Sequence, residues 1–194
     1  MKHQNLILLF IVFFLSSGFS QPRDSWQQPD KIMDILGIQA GMTIGEVGAG
    51  DGYFTFKLSK RVGDSGKIYA NDIAENDLAS IRNHCTHNEI SNIETIVGGI
   101  TDPKFPDDSL DIIIMVYVFH DLDKPVEFLK NSRKYLLPGI RLVIVDRDPD
   151  KYGGDYDHFM TQKQVIRKVE EANFTVEKIE TFLSRDNIYI CKPN

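Results

Sequence analysis

Cysteine is scarce in this chain of 194 residues: Cys85 and Cys191 are all there is. Two thiols so far apart make no disulfide framework, so stability must come from an ordinary core, and both are expected as free, buried groups. Cations are outnumbered as well, 22 Lys and Arg against 28 Asp and Glu, for a net charge of −6. That balance argues against a general binder of nucleic-acid backbones, which needs a basic surface, and leaves room for a local basic patch. Internal repeats, low-complexity tracts and Pro/Gly-rich linkers are missing, which leaves a single domain. Two glycine signatures are missing too. No Gly-Lys-Ser/Thr follows the glycine-rich run, so there is no P-loop, and the third glycine of a G-x-G-x-x-G dinucleotide fingerprint falls on Tyr53. His84, Cys85 and His87, with Glu89, stand without a second ligand cluster, which argues for a frayed helix end and against a metal site.

Long apolar runs are confined to the start. Lys2 precedes ten apolar residues, Leu6 to Leu15, followed by Ser16-Ser17-Gly18-Phe19-Ser20. Ten residues rise only about 15 Å as a helix, roughly half of a hydrocarbon core. The pattern is that of a signal peptide over 1–20, cleaved after Ser20, with a catalytic-size domain over 21–194. An exported location, periplasmic or secreted, with no membrane span after processing, is the expectation.

From Asp30 onward apolar period-2 runs alternate with period-3.6 runs. Asp30 can cap a short helix to Leu36. Strands are expected over Thr43–Gly48, Lys67–Ile73, Ile93–Val97, Asp111–Val118 and Arg141–Val145. Helices are expected over Tyr53–Val62, Glu75–His84, Val126–Leu136 (stopped by Pro138-Gly139) and Thr161–Ala172. Val176–Leu183 and Ile188–Cys191 make a closing antiparallel pair. Such alternation predicts an α/β fold with a doubly wound, mostly parallel sheet. Ligands of such sheets bind at the carboxyl ends of the strands.

The run Gly45-Glu46-Val47-Gly48-Ala49-Gly50-Asp51-Gly52 sits where the first strand gives way to a helix. Alternate glycines let the backbone turn sharply and let a ligand lie against bare main chain. Asp72, 20 positions past Gly52, stands where an acid accepts hydrogen bonds from ribose hydroxyls. The glycine run resembles the first motif of the class I S-adenosylmethionine-dependent methyltransferases. Asn71-Asp72-Ile73, Phe105-Pro106-Asp107-Asp108-Ser109-Leu110-Asp111 and Tyr135-Leu136-Leu137-Pro138-Gly139 resemble that family's later motifs, in order. The resemblance implies a seven-stranded Rossmann-like sheet with the last strand inserted antiparallel, S-adenosylmethionine as cofactor, and transfer of a methyl group to an acceptor.

On that footing Glu46 fixes the glycine loop and meets the cofactor's ammonium through water, Gly48, Gly50 and Gly52 present bare backbone, Asp72 takes the ribose and Ile73 packs on adenine. Where the family often has a Gly-Asp pair for the adenine amino group, this chain has Gly98-Gly99, and Thr101 or Asp102 takes that place. His120 and Asp121 leave the fourth strand nearest the reacting group. His120 is a base for the acceptor's proton or a group that orients it, and Asp121 shares that site or caps the next helix. Tyr117 lines the acceptor pocket and His158 closes it. Asp148, Asp150, Asp155 and Asp157 favour a cationic or neutral acceptor. A second hypothesis, an exported S-adenosylmethionine- or nucleoside-binding protein without catalysis, answers the conflict between an outward address and a cytosolic cofactor. Tyr53 argues against a third, a nicotinamide oxidoreductase.

Overall fold

Strands with apolar residues on both faces need cover on both sides, and that demand organises the chain. A computed structural model describes residues 23–107 and 109–194, so the apolar run and its expected cleavage site lie outside the described residues. Seven strands form one sheet in the order β3-β2-β1-β4-β5-β7-β6. They are β1 (Thr43–Val47), β2 (Lys67–Asp72), β3 (Ile93–Val97), β4 (Leu110–Val116), β5 (Leu136–Arg147), β6 (Phe174–Glu180) and β7 (Asp186–Pro193). The first five are parallel, and β7 runs antiparallel between β5 and β6. The doubly wound sheet expected from the sequence, with its antiparallel end, is the sheet observed.

The helices are α1 (Arg23–Gln27), α2 (Pro29–Leu36), α3 (Tyr53–Val62), α4 (Glu75–His87), α5 (Pro125–Ser132), α6 (Pro149–Tyr152) and α7 (Gln162–Glu171). Ile32, Leu36, Phe54 and Leu58 of α2 and α3 pack on Ile44, Ile68 and Ile114 on one face. On the other face Phe128 and Leu129 of α5, with Val165 and Val169 of α7, pack on Ile113, Met115 and Ile144. Among the described residues no helix lies between β3 and β4, and Phe105 from that loop is buried in the core of the second face. A Cβ on Gly45 would meet its ring at 2.8 Å, so bare backbone in β1 makes the room. Cys85 and Cys191 are free and buried, as expected.

Two sequence expectations fail locally. Pro138-Gly139 does not stop a helix ahead of β5. The helix ends at Ser132, β5 already begins at Leu136, and the register against β4 jumps between Leu110↔Leu136 and Ile112↔Arg141. The Pro-Gly pair is absorbed in that irregularity, where a residue without an N–H is tolerated. The fourth strand also ends early, at Val116. Tyr117 adopts φ +60°, and this left-handed residue turns the chain out of the sheet.

Below the glycine loop sits a buried acid. Glu46 in β1 is 2 % exposed and accepts from Thr55 Oγ1 of α3 at 2.5 Å. Burial, only partly offset by that hydrogen bond, pushes its carboxyl from the ordinary 4.5 up to about 8. The neutral form is therefore the native one at neutral pH, and Glu46 acts as a bracket between strand and helix. A folded-state pKa above the unfolded value means stability present below pH 4.5 and lost as pH climbs through about 8, at up to roughly 1.4 kcal/mol per pH unit. Glu46→Gln keeps the bracket without the charge. We expect its melting temperature to match the parent at pH 5 and exceed it at pH 8; parallel melting curves across that range would contradict the assignment.

Candidate active site

Three chain crossings meet at the carboxyl ends of β1, β2 and β4, and between them lies a cavity of about 210 Å³. Gly48, Asp72 and Ile73 form one wall, Gly99 and Ile100 another, and Val118, Asp121 and Phe128 the third. The glycines do different jobs. Gly48 takes φ +71°, and a Cβ there would strike Val118 Cγ2 at 2.5 Å, so its bareness serves the approach of the strand-four turn. Gly50, at φ +51°, would place a Cβ in open space with nothing within 4 Å, and this is where a ligand can lie on main chain. Gly52 leads α3 with φ +84°, and a Cβ would meet Phe56 at 2.6 Å, so it serves helix packing and is not part of the cavity wall.

Asp72 clamps this loop. Its Oδ2 accepts from Gly50 N at 2.9 Å and its Oδ1 from Ala74 N at 2.9 Å. Each carboxylate oxygen keeps a lone pair for a ligand hydroxyl. Beside it Ile73 is 68 % exposed, and Ile100, across the cavity, is 57 % exposed. Two large apolar side chains left in water on opposite walls suit a flat apolar ring between them.

The adenine-side expectation shifts. Thr101 does not line the cavity; its carbonyl accepts from Asn131 Nδ2 at 2.8 Å. Asp102 turns away to accept from Tyr135 Oη at 2.5 Å and Lys134 Nζ at 3.2 Å. Gly99 and Ile100 take the place expected of Thr101, because Asp102 anchors the chain to the 3-10 turn Arg133–Tyr135 that follows α5.

Opposite the glycine loop stands His120, in the 3-10 turn Phe119–Asp121. Its backbone N and its Nδ1 both reach Asp146, at 2.9 and 2.7 Å. A carboxylate only accepts, so the proton sits on Nδ1 and Nε2 is left for a second partner. Nε2 lies 3.3 Å from Asp121 Oδ2. Burial works against a charged ring, but the hydrogen bond and charge of Asp146, with the charge of Asp121, hold its pKa above the usual histidine value. His158, from the loop after α6, stands edge-on to His120 with ring centres 4.9 Å apart. His120, Asp121 and His158, which the sequence singles out from distant positions, are thus brought together.

Asp146 escaped the sequence reading. It is the penultimate residue of β5, in Val145-Asp146-Arg147-Asp148, where an acid near the end of an apolar strand was the available signal. Tyr117 was misplaced: its hydroxyl donates to the buried Asp186, and its ring packs on Trp26 of α1 at 5.8 Å. It anchors the strand-four turn to β7 and does not line the cavity. The four loop acids do not form a common face either. Asp148 is buried and spends its oxygens on Asp150 N and Asn187 Nδ2, while Asp150 accepts from Tyr156 Oη. At the end of α4, His84 stacks on Phe56 at 4.2 Å.

A family model described as Methyltransferase domain matches residues 38–189. The chain is 26 % identical over 147 residues to a demethylmenaquinone methyltransferase of Bacillus subtilis, covering 75 % of this chain and 62 % of that protein. It is 30 % identical over 115 residues to a ubiquinone/menaquinone biosynthesis C-methyltransferase of Hahella chejuensis, covering 59 % and 46 %. The chain therefore spans about half to three-fifths of the length of these curated relatives. A solved SAM-dependent methyltransferase from Aquifex aeolicus superposes with a TM-score of 0.81 at 27 % identity, covering 87 % of this chain and 91 % of that one. With the sheet order, the glycine loop and the acid-closed second strand in place, the chain belongs to the class I S-adenosylmethionine-dependent methyltransferase family.

Proposed function

We propose that this enzyme methylates a small, hydroxylated ring acceptor of the quinol type. The observation that carries the reading is the shared cavity: the glycine-loop wall and the Asp121 wall face each other across one space, so cofactor and acceptor meet there. The quinone C-methyltransferases among its relatives support the acceptor class.

The residues fit the cofactor. Gly50 offers open main chain, Asp72 two acceptor oxygens for ribose hydroxyls, and Ile73 with Ile100 an apolar slot for the base. S-adenosylmethionine supplies a methyl group on a sulfonium, activated before it binds, so the protein's task is alignment and exclusion of water. Val118, Leu122 and Phe128 dry the reacting end of the cavity. Asp146 fixes the ring of His120, so that Nε2 and the Asp121 carboxylate meet an acceptor oxygen in a set geometry. Phe159 packs against both histidines and closes that side.

Among the described residues no helix is long and apolar enough to cross a membrane. Export remains part of the proposal, resting on the apolar run from Leu6 to Leu15. Processing to Gln21 in the exported fraction is expected, and a protein that keeps residues 1–20 and stays in the cytosolic fraction would remove it.

Calorimetry with S-adenosylhomocysteine, followed by a methyl-transfer assay on demethylmenaquinol, tests the function. Binding with turnover is expected, and absence of binding would sink the reading. Asp72→Asn loses charge-assisted bonds of about 1.5–3 kcal/mol, so affinity should fall roughly tenfold to a hundredfold. Ile73→Ser removes a side chain that is already in water, so stability should hold while affinity drops about fivefold, some 1 kcal/mol of apolar contact. Equal affinity in the Ile73→Ser protein would move the base elsewhere.

A further inference from the structure

His120, Asp121 and His158 each offer one ligand atom, and these three atoms all lie within 4.8 Å of one another. Two imidazoles and a carboxylate make an open site, with positions left for water or a substrate oxygen. Two further observations point to a cation. Asp146, 2 % exposed, holds His120 Nδ1 at 2.7 Å, and this carboxylate support is what metal-ligating histidines use to aim the other nitrogen. His120 Nε2 is thereby directed at Asp121 Oδ2, 3.3 Å away, and not into solvent, for its side chain is 6 % exposed. The second is the bracing of His158: Phe159 packs on its ring at 4.5 Å and on that of His120 at 4.6 Å, which keeps two imidazoles side by side. Asp121 also lines the cofactor cavity, so an ion here would touch the space the acceptor enters.

We propose that His120 Nε2, Asp121 and His158 bind a divalent transition-metal ion whose open positions receive an oxygen of the acceptor. The inference rests on the methyltransferase reading for the ion's use, though not for its binding. Ligand atoms about 2.1 Å from a tetrahedral ion stand roughly 3.4 Å apart, so the loop carrying His158 closes toward His120 as the ion enters. In this arrangement Nε2 is a ligand and is not available to take the acceptor's proton. The sequence predicts no metal anywhere in the chain and gives His120, Asp121 and His158 other roles, so an ion here departs from that expectation.

Cobalt(II) is the probe, titrated into the untagged full chain after chelator treatment and followed by visible absorption. One saturating equivalent per chain is expected. His158→Ala should weaken it by more than about a hundredfold. Asp146→Asn, which removes only the support of His120, should weaken it about tenfold to a hundredfold. No saturable cobalt binding overturns the proposal, and so does binding undiminished in His158→Ala, since His84 and His87 would then hold the ion. Circular dichroism checks each variant's fold, and the exposed Asp121→Asn replaces any that fails, with the same expected loss. S-adenosylhomocysteine calorimetry on the chelator-treated parent separates the two readings. Cofactor binding without cobalt binding defeats the metal site alone, and loss of cofactor binding defeats the methyltransferase reading.

Discussion

The cavity depends on the carboxylate of Asp72. One side chain, at the end of β2, holds the amide of Gly50 and the amide of Ala74 at once. The glycine loop has positive φ at Gly48, Gly50 and Gly52, a conformation with little intrinsic preference and a high entropic cost. Without an anchor it would sample many shapes. Asp72 selects one, and the same residue then presents its remaining lone pairs to whatever enters. Fixing the loop and reading the ligand are one interaction.

The facing wall repeats the device with other chemistry. Asp146, next to last in β5, accepts from both the backbone N and the ring Nδ1 of His120, so the strand-four turn is held from the neighbouring strand. Tyr117 pins the same turn from the other side through Asp186 on β7. The antiparallel strand thus has a part in the site although none of its residues lines the cavity. In both cases an acid at or near the end of one strand holds the turn that leaves its neighbour.

Alternating periodicity made the sheet legible, because a strand buried on both faces, such as Ile112 to Val116, has few other interpretations. The glycine loop and Asp72 were legible through spacing. Tertiary partners decided the rest. Thr101 was read as facing adenine because sequence neighbours were all there was to go on, and the pull of Asp102 toward Tyr135 comes from a 3-10 turn 33 positions away. Tyr117 was assigned to the pocket with the rest of the segment leaving strand four, while its own left-handed backbone and its bond to Asp186 tie it to β7. Asp146 was missed because an acid at a strand end carries no periodic signal until its partner is known.

The contact between Gly48 and Val118 binds two distant stretches of sequence into one unit of change. A Cβ at position 48 would overlap the valine at 2.5 Å while the backbone sits at φ +71°. Neither position can drift independently through evolution. Homologues that lose the glycine should carry a smaller residue at the second position and a reshaped turn, so the pair should co-vary across an alignment even though the two residues are far apart in the chain.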